Sequence, residues 1–232
     1  MLSPGLRTAL AEALSLVFPT WCAGCDLPGV PLCEDCAAAL GPDPRMRRLP
    51  DGLPVYSALA FDGVAARVIR ALKEEGRTAL AGPLGTALGA AVDAAAVLAA
   101  PADAARAAAG VAGGLHVVPV PTSRAALRRR GYRVAELVAA RAGLVPERLL
   151  RAASPAADQR GLGRAERARN VADTMRSRGA AGRRILLVDD VVTTGATLTE
   201  AARALRADGA EVIAAATIAA TARHGIVTAV RT

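Results

Sequence analysis

The segment of residues 184–198 constrains the fold of this chain more than any other part of the sequence. Residues 185–188 form a continuous apolar run, which is typical of a strand buried on both faces of a parallel sheet. Two carboxylates, Asp189 and Asp190, follow at the carboxyl end of this strand, where open α/β sheets bind their ligands. A small turn, residues 193–197, then leads into a run of good helix formers. The segment predicts a strand-turn-helix unit of an α/β protein.

The turn and the acidic pair offer the groups that a phosphorylated ribose needs. Backbone N–H groups in the first turn of a helix lack intrahelical partners, so a phosphate binds well there. Gly195 lets the backbone approach a ligand closely, and the hydroxyls of Thr193, Thr194 and Thr197 can donate to phosphate oxygens. The two carboxylates can accept hydrogen bonds from the ribose hydroxyls. The alternative is an ordinary turn whose threonines cap the helix.

This segment resembles the loop that binds phosphoribosyl diphosphate (PRPP) in type I phosphoribosyltransferases. In that family the acidic pair binds the ribose hydroxyls and the turn wraps the 5-phosphate. The resemblance implies an α/β fold, with a parallel sheet flanked by helices, and Mg²⁺ bound together with PRPP. It implies that PRPP is bound by Asp189, Asp190, Val191, Val192, Thr193, Thr194, Gly195, Ala196 and Thr197.

All 4 cysteines of the chain lie in one window near the N-terminus. Cys22 and Cys25 form one Cys-x-x-Cys pair, and Cys33 and Cys36 form another. Two such knuckles supply four thiolates to a tetrahedral zinc ion, whose binding would supply the folding energy that this short segment lacks. The alternatives are two disulfides, which a cytoplasmic setting disfavours, or a redox-active pair, which the pairing of two knuckles disfavours. The sequence therefore predicts a structural zinc module.

The predicted organisation has two parts. Residues 1–50 would hold an amphipathic helix, the zinc module and a Pro-rich linker that runs on to residue 54. Residues 51–232 would form the phosphoribosyltransferase-like domain. Its predicted strands are residues 55–61, 115–120, 149–151, 185–188 and 211–219, and its predicted helices are residues 62–75, 80–98, 134–142 and 198–207. Lys73 lies near the end of the first of these helices, where it favours the helix dipole or reaches a ligand, and the dipole interpretation is preferred.

The apolar stretch of residues 79–100 is predicted to be a packed helix. It contains Pro83 and Asp93 among many small residues, so we expect no membrane span. The N-terminus shows no convincing secretory signal, because Arg7 and Glu12 interrupt its apolar positions. We therefore expect a cytoplasmic protein.

The strand of residues 115–120 leads into a second candidate site. If this strand is parallel to residues 185–188, the loop after it lies at the same edge of the sheet as the acidic pair. The functional interpretation is a diphosphate-binding loop; the alternative is a strand-loop-helix with a solvated basic face. The predicted diphosphate-binding residues are Pro121, Thr122, Ser123, Arg124 and Arg130.

Residues 152–178 contain little that could be buried. So long a polar segment between two strands of a sheet is usually a binding loop, and here it would be a cationic flap that carries Arg167. The alternative is a disordered basic connector.

The formal net charge of +8 favours a polyanionic ligand, which could be a diphosphate or a nucleic acid. Aromatic residues make up only 2% of the chain, which disfavours single-stranded DNA binding by base stacking.

Taken together, these motifs are similar to those of the ComF family of competence-associated proteins. The similarity rests on the four cysteines, Lys73, Val118-Pro119-Val120-Pro121, Arg130-Gly131-Tyr132, Gln159, Arg167-x-x-Asn170 and the PRPP loop. It implies a zinc module, a PRPP-binding core and, in some members, a link to DNA uptake and single-stranded DNA. The chain has Arg133-Val134 where the family usually has Asn-Gln, so contacts made by that pair are not expected here.

Two hypotheses about function follow. In the first, the chain transfers phosphoribosyl from PRPP to a nitrogenous acceptor, such as a nucleobase, and releases diphosphate. Asp189, Asp190 and Arg167 would be its catalytic residues. In the second, it is a non-catalytic module that senses PRPP or binds single-stranded DNA within a DNA-uptake or regulatory assembly. Nothing in the sequence identifies the acceptor.

Overall fold

The computed structural model describes residues 20–108, 114–152, 174–222 and 228–229. The predicted N-terminal helix, residues 3–18, lies outside them. The described elements in chain order are α1 (Glu34–Ala38), β1 (Arg45–Arg48), β2 (Pro54–Ala60), α2 (Gly63–Glu74), a 3-10 turn (Thr78–Leu80), α3 (Ala81–Ala108), β3 (Leu115–Pro119), α4 (Arg124–Arg130), α5 (Val134–Arg141), β4 (Leu150–Ala152), β5 (Met175–Ser177), β6 (Arg184–Val192), α6 (Ala196–Ala207), β7 (Glu211–Ala220) and β8 (Thr228–Ala229).

A six-stranded sheet in the order β3-β6-β7-β2-β1-β8 forms the centre of the fold. β3, β6, β7 and β2 are parallel to one another, and β1 is antiparallel to both β2 and β8. A separate antiparallel pair, β4 and β5, packs beside α6. The predicted α/β fold, with a mostly parallel sheet flanked by helices, is confirmed.

Helices cover both faces of the sheet, as the apolar run in β6 predicts. Leu186 and Val188 face the cluster built from α2, α3 and α5. Ile185 and Leu187 face the opposite cluster, which is built from α6 and the turn between β1 and β2. All four side chains are fully buried. Because side chains alternate along a strand, Asp189 and Asp190 also leave β6 on opposite faces.

The apolar stretch Thr78–Val97 belongs to this core. By length and composition it could cross a membrane, but half of it is buried inside the protein. Leu80, Leu84 and Leu88 are fully buried and pack with the strands of the sheet. The prediction of a packed helix is confirmed, and α3 continues through the Ala-rich residues to Ala108.

Three segments differ from the prediction. The predicted linker contains β1, because Pro44 and Pro50 lie outside the strand and leave the N–H groups of Arg45–Arg48 free to pair with β2. The basic residues after β3 form a helix, α4, instead of continuing the loop. β6 continues through the acidic pair to Val192, since its pairing with β7 extends that far.

Candidate functional site

The acidic pair lies at the carboxyl end of β6, next to a lysine from α2. Lys73 Nζ is 2.8 Å from Asp190 Oδ2, and the two side chains are 26% and 17% exposed. Asp190 Oδ1 accepts a hydrogen bond of 2.7 Å from Val191 N, and Asp189 Oδ1 accepts one of 2.8 Å from Asp190 N. Lys73 is therefore part of the site. Lys73 also lies in the last turn of α2, where its charge favours the helix dipole, so the ion pair with Asp190 adds a second role to the predicted one.

The surroundings of Asp189 favour its protonated form. Burial and the negative charge of Asp190 raise the pKa of Asp189 from 3.8 to about 8, although the Asp190 N–H and Lys73 act in the opposite direction. The protonated form of Asp189 therefore persists to higher pH in the unliganded protein than in a free aspartate. A cation bound next to Asp189 would favour loss of that proton.

Substitution Asp189→Asn should stabilise the unliganded protein above pH 4. The folded state keeps the Asp189 proton up to about pH 8, whereas the unfolded chain releases it near 3.8, so this group makes wild-type stability fall as pH rises through that window. Asparagine resembles the protonated acid and does not titrate. We expect the free energy of unfolding of Asp189→Asn to exceed that of the wild type by at least about 1 kcal/mol at pH 7, which corresponds to roughly one pKa unit. At pH 3.5 the two free energies should be equal. Urea denaturation at both pH values measures this, and an equal difference at both would contradict it.

The turn after β6 presents hydroxyl groups to solvent. Thr193, Thr194 and Thr197 are all exposed, and Thr194 Oγ1 accepts a hydrogen bond of 3.2 Å from Ala196 N at the start of α6. Gly195 caps this helix with a φ of +85°, a conformation that L-residues with side chains rarely adopt. The predicted strand-turn-helix unit therefore forms, with the first turn of α6 open to an anion.

The loop after β3 lies beside the acidic pair, because β3 and β6 are parallel neighbours. Val120 N donates to Val188 O at 2.9 Å, so the two strand ends leave the sheet together. Pro121 and Thr122 are half-buried. Ser123 Oγ accepts from Ala126 N at 3.2 Å and caps α4. The structure thus brings the predicted diphosphate-binding loop to the same sheet edge as the acids.

The two arginines predicted to bind diphosphate lie at opposite ends of α4. Arg124 is exposed at the first position of the helix. Arg130 is in its last turn, and among the described residues its buried Nε has no hydrogen-bond partner. A buried guanidinium N–H without a partner is costly unless a ligand or water satisfies it. Arg130 is therefore suited to an anion.

Tyr132 connects this loop to the lysine-bearing helix. Its hydroxyl donates a hydrogen bond to the carbonyl of Leu72, the residue before Lys73, and burial raises the pKa of Tyr132. The next two residues serve other contacts, since Arg133 pairs with Glu136 at 3.5 Å and Val134 is buried. The loop after β3 and the end of α2 are thus held together beside the acids.

The predicted flap falls mainly on residues 153–173, which lie outside the described residues. Arg167, Gln159 and Asn170 are among them, so the catalytic role of Arg167 stays a prediction. The described ends of the segment, β4 and β5, pair with each other.

A cavity of about 630 Å³ lies on the other side of the acids, near the carboxyl ends of β2 and β7. Its walls include Ala39 after α1, Met46 and Arg47 from β1, Ser57 from β2, and Thr221 after β7. Thr221 N donates to Val192 O at 3.1 Å, and Arg47 Nη2 donates to Thr193 O at 2.8 Å. Arg47 therefore connects the wall of the cavity to the turn after β6.

The four cysteines form a second candidate site. Their Sγ atoms all lie within 4.8 Å of one another, and Cys33 Sγ is 3.6 Å from the Sγ atoms of both Cys22 and Cys25. All four thiols are free. Tetrahedral coordination with metal–sulfur bonds of about 2.3 Å requires sulfur–sulfur distances of roughly 3.8 Å, which this cluster approaches. These cysteines could hold a metal ion.

The local environment of the sulfurs fits that role. Although burial opposes it, backbone N–H groups of Cys33, Gly24 and Cys25 lower the pKa of Cys22 to about 6. Burial and the neighbouring sulfurs raise the pKa of Cys36, so its thiolate would need a cation. A side chain at Gly24 would place its Cβ 2.5 Å from Cys36 Sγ, so only glycine fits there.

Two arginines connect the cysteine cluster to the sheet domain. Arg77, just after α2, donates to the carbonyls of Trp21 and Pro31, the latter at 2.9 Å. Arg67 on α2 forms an ion pair with Asp26. The helix that carries Lys73 therefore also supports the cysteine cluster.

Sequence reasoning gave too little weight to one basic residue near the acids, Lys73, and missed another, Arg47. Lys73 is the one lysine among 29 basic residues, and this isolation was a signal that could have found it. Arg47 carried no such signal, because it lies in a Pro- and Arg-rich stretch that reads as a linker.

Comparison with known families agrees with this geometry. No curated protein shows significant similarity to the chain. The family model described as "Phosphoribosyl transferase domain" matches residues 57–227, a span that holds the acidic pair, the turn after β6, Lys73 and the loop after β3. Because the match covers well over half of the sequence, the chain belongs to the phosphoribosyl transferase domain family.

Proposed function

We propose that this protein binds PRPP at the carboxyl end of β6 and transfers its phosphoribosyl group to a nitrogenous acceptor, with release of diphosphate. The observation that carries the proposal is the meeting of three groups at one sheet edge. These are the Asp189–Asp190 pair with Lys73, the hydroxyl-rich turn at the start of α6, and the loop after β3.

The 5-phosphate would bind at the turn of residues 193–197. The N–H groups at the start of α6 and the exposed hydroxyls of Thr193, Thr194 and Thr197 provide donors for it. Asp189 and Asp190 would accept hydrogen bonds from the ribose hydroxyls. This arrangement fixes C1 of the ribose above the end of β6.

The diphosphate would lie at the loop after β3. The residues proposed to bind it are Pro121, Thr122, Ser123, Arg124 and Arg130. Support comes from the buried Arg130 Nε, which lacks a hydrogen-bond partner among the described residues. Charge develops on the departing diphosphate and on C1 in the transition state, so positioned cations and carboxylates would stabilise both.

The adjacent carboxylates fit a magnesium ion. Mg²⁺ binds carboxylate and phosphate oxygens, and it would be held here by Asp189 or Asp190 together with PRPP. The raised pKa of Asp189 supports this, since part of the shift comes from the negative charge of Asp190, which the ion pair with Lys73 only partly offsets. When bound, the ion would neutralise charge on the diphosphate.

The acceptor would approach from the β7 side. In a displacement at C1 the nucleophile enters opposite the leaving group. β3 and β7 flank β6 on opposite sides, so a diphosphate above β3 leaves the β7 side for the acceptor. The 630 Å³ cavity lies on that side, and it has both apolar walls and polar groups.

The cysteine cluster would hold a structural zinc ion through Cys22, Cys25, Cys33 and Cys36. Four sulfur ligands at tetrahedral spacing leave no open position, which fits a structural role. The resemblance to the ComF family supports a cytoplasmic protein connected with DNA uptake.

Calorimetric titration of PRPP with Mg²⁺ into the metal-loaded protein tests the proposal. We expect saturable binding, and release of diphosphate when a suitable base is added. If PRPP binds but no diphosphate is released in the presence of any nucleobase of a test panel, the result would favour a PRPP sensor. Absence of binding by the folded protein would refute the site.

A further inference from the structure

Residues that precede the matched family domain reach the proposed phosphate-binding turn. The match begins at residue 57, whereas β1 and the turn after it end before β2 begins at Pro54. Arg47 on β1 donates from Nη2 to the carbonyl of Thr193 at 2.8 Å, across 146 residues of sequence. This contact joins the N-terminal part of the chain to the turn.

Leu49 makes a second contact with the same turn. It is 5% exposed, and two hydrogen bonds hold its backbone in the hairpin turn: Leu49 N to Leu53 O and Gly52 N to Leu49 O, both 2.9 Å. A Cβ built on Gly195 would lie 2.3 Å from Leu49 Cδ2. The leucine side chain thus occupies the space that a side chain at Gly195 would need. The hairpin contacts the turn on both sides of Thr194.

The Arg47 contact has a direct consequence for the orientation of a peptide group. The carbonyl of Thr193 and the N–H of Thr194 belong to one planar trans peptide, so they point in opposite directions. With its carbonyl bound to Arg47, this peptide directs the Thr194 N–H away from the hairpin. The charged guanidinium also polarises the peptide, which makes the N–H a better donor.

We propose that Arg47 and Leu49 are positioning residues, which hold the turn of residues 193–197 in the conformation that receives a phosphate before the ligand binds. Ordering a preorganised turn costs less free energy when the ligand binds, so the ligand binds more tightly. Arg47 also lines the cavity beside the turn, so the hairpin supports two parts of the site at once. This inference rests on the proposed function, in which the turn binds the 5-phosphate.

The test compares Arg47→Met with Arg48→Met. Both variants remove one positive charge from β1, but Arg48 is exposed and donates to Gly52 O at 3.2 Å, away from the turn. Ribose 5-phosphate and inorganic diphosphate are titrated separately into the metal-loaded proteins. We expect Arg47→Met to weaken ribose 5-phosphate binding about tenfold and to leave diphosphate binding within twofold. Arg48→Met should leave both affinities within twofold of the wild-type values. The ribose 5-phosphate affinity of Arg47→Lys should lie between those of the wild type and Arg47→Met.

A second measurement is independent of any ligand. Hydrogen exchange of residues 193–197 in the free protein should be faster in Arg47→Met and in Leu49→Ala than in Arg48→Met. Equal ribose 5-phosphate affinities of Arg47→Met and Arg48→Met would overturn the inference, as would equal losses for both ligands. If the wild type binds no ligand, the proposed function fails, and exchange alone decides whether the hairpin holds the turn. Unchanged exchange would then overturn the inference, and faster exchange would support it.

Discussion

Substitution Cys36→Ser should release the metal ion from the cysteine cluster and unfold residues 20–40, while the sheet domain stays folded. Cys36 is 4% exposed, and burial among the other sulfurs raises the pKa of its thiol, so a bound metal ion would compensate for a buried thiolate. Structural zinc sites in small peptides contribute about 10–16 kcal/mol of binding free energy, which is also folding free energy. The described part of this segment has one short helix, α1, and few buried side chains. Without the metal, little else would hold it.

Trp21 makes this unfolding measurable, since it is the one tryptophan in the chain and lies next to Cys22. We expect the metal content of the protein to fall from one ion to none in Cys36→Ser. Trp21 is already 49% exposed, so its emission should shift only slightly to longer wavelength. Far-ultraviolet circular dichroism should change only slightly. Glu34→Gln, an exposed substitution in the same helix, is the matched control. Full metal content and an unchanged Trp21 spectrum in Cys36→Ser would show that Cys36 is not a required ligand, and wild-type protein without metal would show that the cluster is not a metal site.

Substitution Asp190→Asn should weaken PRPP binding by at least about tenfold and by up to roughly 100-fold. In the proposed site the carboxylate of Asp190 would bind the ribose and any accompanying Mg²⁺, and a hydrogen bond to a charged group contributes about 1.5–3 kcal/mol. The substitution also leaves the 26% exposed Lys73 without its 2.8 Å partner. A partly buried charge without a partner lowers stability, so binding and folding must be measured separately.

Calorimetry with PRPP and Mg²⁺ gives the affinity, and urea denaturation gives the free energy of unfolding. Glu74→Gln is the matched control, because it removes one negative charge beside Lys73 from an exposed position. The double variant Asp190→Asn/Lys73→Met should recover stability relative to Asp190→Asn without recovering affinity, because it leaves no unpaired lysine. PRPP affinity in Asp190→Asn equal to that in Glu74→Gln would remove Asp190 from the site.

Local patterns were sufficient for the centre of the fold. The apolar run of β6 predicted a strand covered on both faces, and the buried side chains from Ile185 to Val188 confirm it. The two Cys-x-x-Cys pairs predicted one compact cluster, and the four sulfurs lie together. Each prediction concerned residues that are neighbours in sequence, where spacing alone limits the possible geometry.

Local patterns failed where an element depends on a distant partner. Residues 41–54 read as a linker because of their prolines, yet β1 forms there by pairing with β2. Lys73 read as a residue that stabilises its own helix, since nothing near it in sequence shows that Asp190 is opposite. Arg47 was missed altogether, although it donates to the carbonyl of Thr193.

The sequence by itself determined which chemical groups the protein has and how each is presented locally: a strand that ends in two acids, a glycine turn before a helix, and four thiols at metal-binding spacing. Only the tertiary structure decided which groups meet. The parallel pairing of β3 with β6 brings the basic loop to the acids, and the packing of α2 and the β1–β2 hairpin brings Lys73, Arg47 and Leu49 to the same edge. The physical reason is that local spacing fixes backbone geometry over a few residues, whereas contacts between distant residues depend on how the faces of the sheet are buried.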